Sequence, residues 1–194
     1  MKKPNKEKLQ RELVRRLSDL IVDTGPLLAL GTISALHLLS TLYSAVYISP
    51  SVRRELEEGA SKYSDAREAL EAVNRGWLTV IFIEPDFSEK IETITHGPPK
   101  LGRAQAESIV LCQQLHVNLI LTDDKQAIRV AEAAGLRVIY GLDILLQAVK
   151  SGVLSKVQAL SYVQKFEQAH QYSEEDLKLA REQIEEGRGI HERG

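Results

Sequence analysis

Short apolar runs of strand length alternate with longer stretches of helical periodicity along most of the chain. The apolar runs are Leu20–Val22, Ala45–Ile48, Leu78–Ile83, Leu119–Leu121 and Arg137–Tyr140. Helical stretches lie between them at 26–42, with a break near Gly31, and at 65–75, 103–115 and 125–134, and another starts at Ser49-Pro50. Because strands that alternate with helices usually pair in parallel, the pattern predicts an α/β fold with crossover helices on both faces of a central parallel sheet.

The hydrophobic pattern changes after Tyr140, where only helical periodicity remains, at 142–150, 155–169 and 173–186. We therefore expect three parts: a basic N-terminal segment of helical character at 1–18, a sheet domain at 19–152, and a C-terminal helical extension with a tail at 153–194. An apolar set in the extension is expected to cover the sheet domain or to contact a second subunit. Its members are Leu154, Val157, Leu160, Tyr162 and Val163.

Composition and charge narrow the class of protein. Apolar residues make up 43% of the chain, which suffices for an ordinary core. No apolar run reaches the roughly 20 residues that a transmembrane helix needs, and the basic N-terminus lacks the apolar segment of a signal peptide. The single cysteine, Cys112, excludes an intramolecular disulfide and a cysteine-based zinc site, so we expect a cytoplasmic location. Because no apolar run is long enough to span a bilayer, we also expect no membrane partner. The net charge of −2 argues against a protein that coats nucleic acid through bulk positive charge.

Carboxylates follow two of the predicted strands. Asp23 comes directly after Ile21-Val22, and Asp123 and Asp124 follow Leu121-Thr122. In open parallel sheets, ligands gather beyond the carboxyl ends of the strands. If the two strands are neighbours, these carboxylates lie close together, where like charges repel strongly unless a cation lies between them.

Two further acids lie on helices that could face the same edge of the sheet. Glu55 is early in the helix that follows the second strand, and Glu107 is in the helix before the fourth. Such oxygen ligands suit Mg²⁺ or Mn²⁺, which would activate a water molecule for attack on a phosphodiester. The alternatives are that Asp23 only ends its strand and caps a helix, and that Glu55 and Glu107 lie on solvated helix faces.

Four separated segments together resemble a PIN domain. They read VDTGPLLAL, SPSVRREL, LGRAQAESIVLC and LILTDDKQAIRVAEAAGLRVIYGLDILL, and the similarity covers about Leu20 to Gly152. The pattern is similar to toxin-like prokaryotic PIN proteins of the VapC and DUF3368 types. The resemblance implies a three-layer α/β/α fold, Mg²⁺- or Mn²⁺-dependent ribonuclease activity, frequent homodimerisation and a small antitoxin protein as partner.

The resemblance also implies roles for individual residues. Asp23 matches the first acid of the family, Glu55 the second, Glu107 the third, and Asp123 or Asp124 the fourth. Relatives commonly read G-E-x-E in the third motif, where this chain has Ala104-Gln105-Ala106-Glu107. We therefore expect Asp23, Glu55, Glu107, Asp123 and Asp124 to be catalytic, with Asp23, Glu107, Asp123 and Asp124 as metal ligands. If the third acid corresponds instead to Gln105, one ligand is a neutral amide and activity is weakened.

Hydroxyl and basic residues near the acids are candidates for binding substrate. Thr24 and Thr122 would orient the acids or the ligand by hydrogen bonds, and ordinary turn bonding is the alternative for each. Arg54 and Lys125 would contact phosphate, as would Arg53, Arg103 and Arg129, and a solvated surface is the alternative. Lys125 and Arg129 are four residues apart and would share a helix face.

Other functional classes fit the sequence less well. The Asp-Thr-Gly at 23–25 is also an aspartic-protease signature, but that fold is all-β and needs two copies. A haloacid-dehalogenase-type phosphatase needs an Asp where Gly25 stands, and a dinucleotide-binding enzyme needs a G-x-G-x-x-G after the first strand. The remaining alternatives are a metal-dependent endoribonuclease, as the toxin-like half of a toxin–antitoxin pair, and a catalytically weak PIN domain that binds RNA or protein.

Overall fold

A computed structural model of the chain describes residues 18–187. Within that range five strands form one parallel sheet in the order β3-β2-β1-β4-β5. Their bounds are β1 Leu20–Val22, β2 Val46–Ile48, β3 Leu78–Val80, β4 Leu119–Leu121 and β5 Arg137–Ile139. All five predicted strands are therefore confirmed, and every pair in the sheet is parallel, as the alternation with helices predicts.

Helices occupy most of the remaining described chain. Their bounds are α1 Thr24–Thr32, α2 His37–Leu42, α3 Pro50–Ala60, α4 Ser64–Asn74, α5 Ser88–His96, α6 Arg103–Gln114, α7 Lys125–Ala133, α8 Gly141–Lys150, α9 Lys156–Gln168 and α10 Glu174–Glu186. Ser49 caps α3 by accepting a hydrogen bond from the backbone N–H of Val52, and Pro50 fills its first position, as predicted. Sequence patterning does not predict α5, whose single fully buried side chain is Ile91.

Alternate strand residues face opposite layers of the molecule. Leu20 and Val22 pack in the larger core with apolar side chains of α1–α4 and α8–α10. Ile21 faces the smaller core, which α6 and α7 complete. The sheet is thus buried on both faces between helical layers, which confirms the predicted three-layer α/β/α architecture.

The C-terminal helices share the larger core. Phe166 of α9 and Ile184 of α10 are almost fully buried there, together with Leu154 and Val163. Val157, which the sequence places in the same apolar set, is instead 77% exposed. The division of the chain at 152/153 stays a prediction, and the basic segment predicted at 1–18 falls almost entirely on residues that the structure does not describe. Within residues 18–187, every helix is too short or too polar to span a bilayer.

Candidate active site

The two strands that precede the predicted acids are neighbours at the centre of the sheet. Ile21 of β1 is in register with Ile120 of β4, and the backbone N–H of Asp23 donates to the carbonyl of Leu121 at 3.0 Å. The strand order reverses here, since β2 and β3 continue on one side and β5 on the other. Such a reversal leaves a crevice beyond the strand ends, because the two connecting helices cover opposite faces.

Asp23 is buried at this crevice and is held by two donors. Its Oδ1 accepts from the backbone N–H of Thr24 at 2.8 Å, so that it caps α1, and its Oδ2 accepts from the hydroxyl of Thr122 at 3.0 Å. Only 5% of the residue is exposed. Burial raises the pKa of Asp23 from 3.8 to about 6, and the nearby charges of Glu55 and Asp124 contribute to this rise against the two hydrogen bonds. The ionised form of Asp23 is therefore disfavoured by its surroundings, and a bound cation would stabilise it.

A cleft of about 390 Å³ opens above Asp23, and we call it the acidic cleft. Its wall includes the carboxylates of Asp23, Glu55, Asp123 and Asp124. Glu55 is held towards Asp23 by a short hydrogen bond from the hydroxyl of Thr24. Asp124 caps α7, with its Oδ1 accepting from the backbone N–H groups of Gln126 and Ala127. Four of the five predicted catalytic acids thus line one cleft.

Asp123 has two partners that sequence patterning does not identify. Its Oδ1 accepts from the backbone N–H of Gly141 at 3.0 Å, and its Oδ2 accepts from the hydroxyl of Tyr172 at 2.8 Å. Burial raises the pKa of Asp123, and these two hydrogen bonds oppose the rise. The pKa of Tyr172 is also raised, first by its own burial and then by the charge of Asp123. The C-terminal helical layer therefore takes part in the site.

The comparison with known families agrees with this geometry. A family model described as a PIN domain, DUF3368, matches residues 19–185. The chain belongs to the PIN-domain family. No curated protein matches the sequence. PIN domains are generally nucleases, so the sheet and its acidic cleft form a fold of the nuclease type.

In this PIN domain, Glu107 lies outside the lining of the acidic cleft. It is 5% exposed, and its Oε2 accepts from the backbone N–H of Ser51 at the start of α3, while its Oε1 accepts from Nε of Arg103, both at 3.0 Å. Gln105 lines the cleft instead, and its Oε1 accepts from the backbone N–H of Gly102 at 3.0 Å. In the third motif, the amide of Gln105 therefore faces the cleft, and the carboxylate of Glu107 faces the start of α3.

The predicted substrate-binding residues of the PIN domain separate into two groups. Thr24 lines the acidic cleft, and Thr122 is fully buried beneath it as the donor to Asp23. Arg54 is exposed, donates to the hydroxyl of Ser51 at 3.1 Å and is not part of the cleft wall. Lys125 lines a second, adjacent cleft. The two threonines thus position acids, while neither of the two cations lines the acidic cleft.

The donor set of the acidic cleft fits a hard divalent cation in chemistry. All four carboxylates supply oxygen, which Mg²⁺ and Mn²⁺ prefer, and burial first, with the charges of Glu55 and Asp124 adding to it, raises the pKa of Asp23, so a bound cation would favour its ionised form. Within residues 18–187, however, no three His, Cys, Asp or Glu side chains are close enough to hold an ion by themselves. Water or a substrate phosphate would therefore have to complete the coordination, as Mg²⁺ commonly requires.

Proposed function

We propose that this PIN domain is a Mg²⁺- or Mn²⁺-dependent endoribonuclease. The observation that carries the proposal is the buried Asp23, whose pKa is raised to about 6 in a cleft that it shares with Glu55, Asp123 and Asp124. A bound divalent ion would supply Lewis acidity at the scissile phosphate and would lower the pKa of the attacking water. The nuclease-type fold of the family supports the same reading.

Each acid has a role that follows from its contacts. Asp23 would hold the ion, because Thr24 and Thr122 fix both of its oxygens against rotation. Asp123 and Asp124 would add ligands from the end of β4 once an ion draws them towards Asp23, since no three acids of residues 18–187 are close enough to hold it beforehand. Glu55, oriented by the hydroxyl of Thr24, is placed to accept the proton of the attacking water. Glu107, predicted as a ligand, would have to exchange its present partners, Ser51 and Arg103, to reach the ion.

The biological setting is part of the same proposal. We place the protein in the cytoplasm as the toxin-like half of a toxin–antitoxin pair, forming a homodimer and bound by a small antitoxin protein. The support is the resemblance of its four motifs to toxin-like PIN proteins. Size-exclusion chromatography with light scattering would test the homodimer, and co-purification with the product of an adjacent reading frame would test the antitoxin.

Manganese titration by calorimetry tests the metal site first. Protein stripped with EDTA should bind Mn²⁺, and the Asp23→Asn variant should lose that binding because the neutral amide is a poor ligand for a hard cation. Cleavage of a panel of structured and single-stranded RNAs should then require Mg²⁺ or Mn²⁺ and should disappear in the same variant. Wild-type protein that neither binds Mn²⁺ nor cleaves any RNA with the ion present would contradict the proposal.

A second function, RNA binding without catalysis, is favoured by one observation. Gln105 presents a neutral amide to the acidic cleft, and Glu107 is occupied by Ser51 and Arg103. A site that lacks one acid would hold metal weakly while still binding RNA. RNA binding that survives Asp23→Asn, with no cleavage by either protein, would support this function over the endoribonuclease.

A further inference from the structure

A second cleft of about 360 Å³ lies next to the acidic cleft, and we call it the tyrosine cleft. Its polar wall consists of Asp123, Lys125, Arg129, Tyr140, Tyr172 and Asp176, and two apolar side chains complete it. Four parts of the fold thus contribute: the residues after β4, α7, the end of β5 with the start of α8, and the first turn of α10 with the segment before it. The volume falls within the range of pockets that hold one small organic ligand.

The two clefts meet at one side chain. Asp123 lines both, and its carboxylate is held between them by Gly141 and Tyr172. A polymer whose phosphodiester lies at the acidic cleft would therefore place a neighbouring unit in the tyrosine cleft. The tyrosine cleft is therefore within reach of a polymer that is bound at the acidic cleft.

Two cations of the tyrosine cleft have no ionic partner within residues 18–187. Lys125 and Arg129 lie one turn apart on α7, and neither forms an ion pair or side-chain hydrogen bond with any residue between 18 and 187. Four other arginine side chains of the described chain, Arg53, Arg75, Arg103 and Arg181, do form ion pairs. An unpaired Lys–Arg pair at the wall of a cleft is suited to bind a phosphate, whose oxygens both side chains can contact.

The aromatic wall has a fixed position. The ring of Tyr172 packs edge-on against Phe166, with centroids 4.9 Å apart, and its hydroxyl is bonded to Asp123. Because both ends of the side chain are held, a base that stacks on it meets a surface that loses little entropy on binding. Asp176, held by the hydroxyl of Ser173 at 2.7 Å, supplies a hydrogen-bond acceptor on the same side. The cleft thus combines a cationic wall, an aromatic wall and an acceptor.

We infer that the tyrosine cleft binds one nucleotide of single-stranded RNA, next to the phosphodiester at the acidic cleft. Lys125 and Arg129 contact its phosphate, the wall formed by Tyr140 and Tyr172 contacts its base, and Asp176 accepts a hydrogen bond from its ribose or base. Bases of unpaired RNA stack on aromatic side chains in this way, whereas a paired helix keeps its bases inside. The inference rests on the proposed function for its substrate, but it concerns binding and not cleavage.

Fluorescence anisotropy with a labelled ten-nucleotide single-stranded RNA, in EDTA, tests the inference without any metal chemistry. The double variant Lys125→Ala/Arg129→Ala should bind at least tenfold more weakly than wild type. The slope of log K against log salt should be shallower by about 0.7, because one phosphate of the single strand is no longer neutralised. Tyr172→Leu should weaken binding roughly tenfold with an unchanged salt dependence, since it removes stacking and no charge.

The matched control is Lys62→Ala/Arg75→Ala, which removes the same charge from exposed residues outside both clefts. It should bind RNA nearly as wild type does. Equal weakening in both double variants, or no weakening in Lys125→Ala/Arg129→Ala, would overturn the inference, as would wild-type protein that does not bind the RNA. Cleavage with Mn²⁺ is measured separately, so binding that depends on Lys125 and Arg129 without cleavage refutes the endoribonuclease and leaves the nucleotide subsite standing.

Discussion

The hydroxyl of Tyr172 lies 2.8 Å from Oδ2 of Asp123 and donates a hydrogen bond to it. This bond joins the connection between α9 and α10 to the residues that follow β4, two points that are 49 residues apart in the chain. The backbone N–H of Gly141 holds the other carboxylate oxygen. These two hydrogen bonds fix Asp123 in one orientation. Carboxylates that bind metal ions are often oriented by hydrogen-bond partners in this way.

Tyr172→Phe should weaken Mn²⁺ binding roughly tenfold, because outer partners of this kind typically contribute that much to metal affinity. Without the donor, the pKa of Asp123 should rise further, so the loss should be larger at pH 6 than at pH 8. Calorimetric titration of Mn²⁺ into both proteins at pH 6 and pH 8 measures this loss of affinity. An affinity equal to that of wild type at both would show that the bond has no part in the site.

Gly141 is next to the same bond and leaves no room for a side chain. A Cβ added there would lie 2.1 Å from Oη of Tyr172 and 3.2 Å from Oδ2 of Asp123. Gly141→Ala should lower the free energy of unfolding by about 1–3 kcal/mol, the usual cost of overpacking. This cost should be smaller in a Tyr172→Phe background, because Oη of Tyr172, the atom closest to the added Cβ, is then absent. Urea denaturation of wild type, both single variants and the double variant measures the coupling free energy between the two positions. Additive effects would contradict the geometry.

Asp23→Asn should make the metal-free protein more stable above pH 7. The pKa of Asp23 is about 6 in the folded protein against 3.8 ordinarily, so the folded state binds the proton more tightly than the unfolded chain. Wild-type stability should therefore fall as the pH rises from about 4 to about 6, by a total of about 3 kcal/mol from this group. The Asn variant lacks this titration and should exceed wild type by a similar amount at pH 8.

Urea denaturation of wild type and Asp23→Asn in EDTA, at pH 4 and pH 8, tests whether wild-type stability falls as the pH rises. The two proteins should differ much less at pH 4, where Asp23 is protonated in the folded state and about half protonated in the unfolded chain. Saturating Mn²⁺ should reverse the order at pH 8, because an ion that binds the folded state stabilises only the protein that holds it. Greater stability of wild type at pH 8 without metal would show that Asp23 is not desolvated.

Glu107→Gln and Gln105→Glu separate the two readings of the third motif. Glu107 accepts from Ser51 and Arg103 in a buried place, so Glu107→Gln should cost about 1–3 kcal/mol of unfolding free energy and leave Mn²⁺ affinity nearly unchanged. Gln105→Glu adds a carboxylate to the acidic cleft and should tighten Mn²⁺ binding several-fold. If Glu107→Gln abolishes Mn²⁺ binding at unchanged stability, Glu107 is the ligand that the family pattern predicts.

Thr24→Val should reduce the rate of RNA cleavage by about tenfold, since it leaves Glu55 without its orienting hydroxyl. Thr24→Ser keeps the hydroxyl and serves as the matched control, with a rate close to that of wild type. Mn²⁺ affinity should change little in either variant, because neither alters a proposed ligand. A Val variant that cleaves RNA as fast as the Ser variant would remove Thr24 from the mechanism.

The strands and the acids at their ends are accessible to sequence analysis because both depend on short stretches of chain. An apolar run such as Leu119–Leu121 can be stable only if it is buried on both faces, and a polar residue directly after it must lie at the sheet edge. Asp23 and Asp123 follow such runs, and the reversal of strand order brings them together. The alternation of strands and helices predicts parallel pairing, which the topology confirms.

Contacts between distant segments are not accessible in the same way. Tyr172 lies between two helices, and no local pattern indicates that it contacts Asp123. Gln105 and Glu107 are two residues apart, which is about 200° around a helix, so only one can face the cleft, and the rotation of α6 decides which. Helix α5 is missed because Thr93, Ile94 and Thr95 are β-branched and favour helix weakly, and because its apolar face packs on α6.

The bond between Tyr172 and Asp123 also has a consequence for biosynthesis. At a synthesis rate of about 5–20 residues per second, the 49 residues that separate them take roughly 2–10 s to translate. A nascent chain that has emerged only as far as Asp124 already contains every residue of the acidic cleft wall, yet it lacks the hydroxyl that holds Asp123. For a protein proposed to cut RNA, this order of synthesis delays completion of the site until Tyr172 has been translated, after all the acids of the cleft.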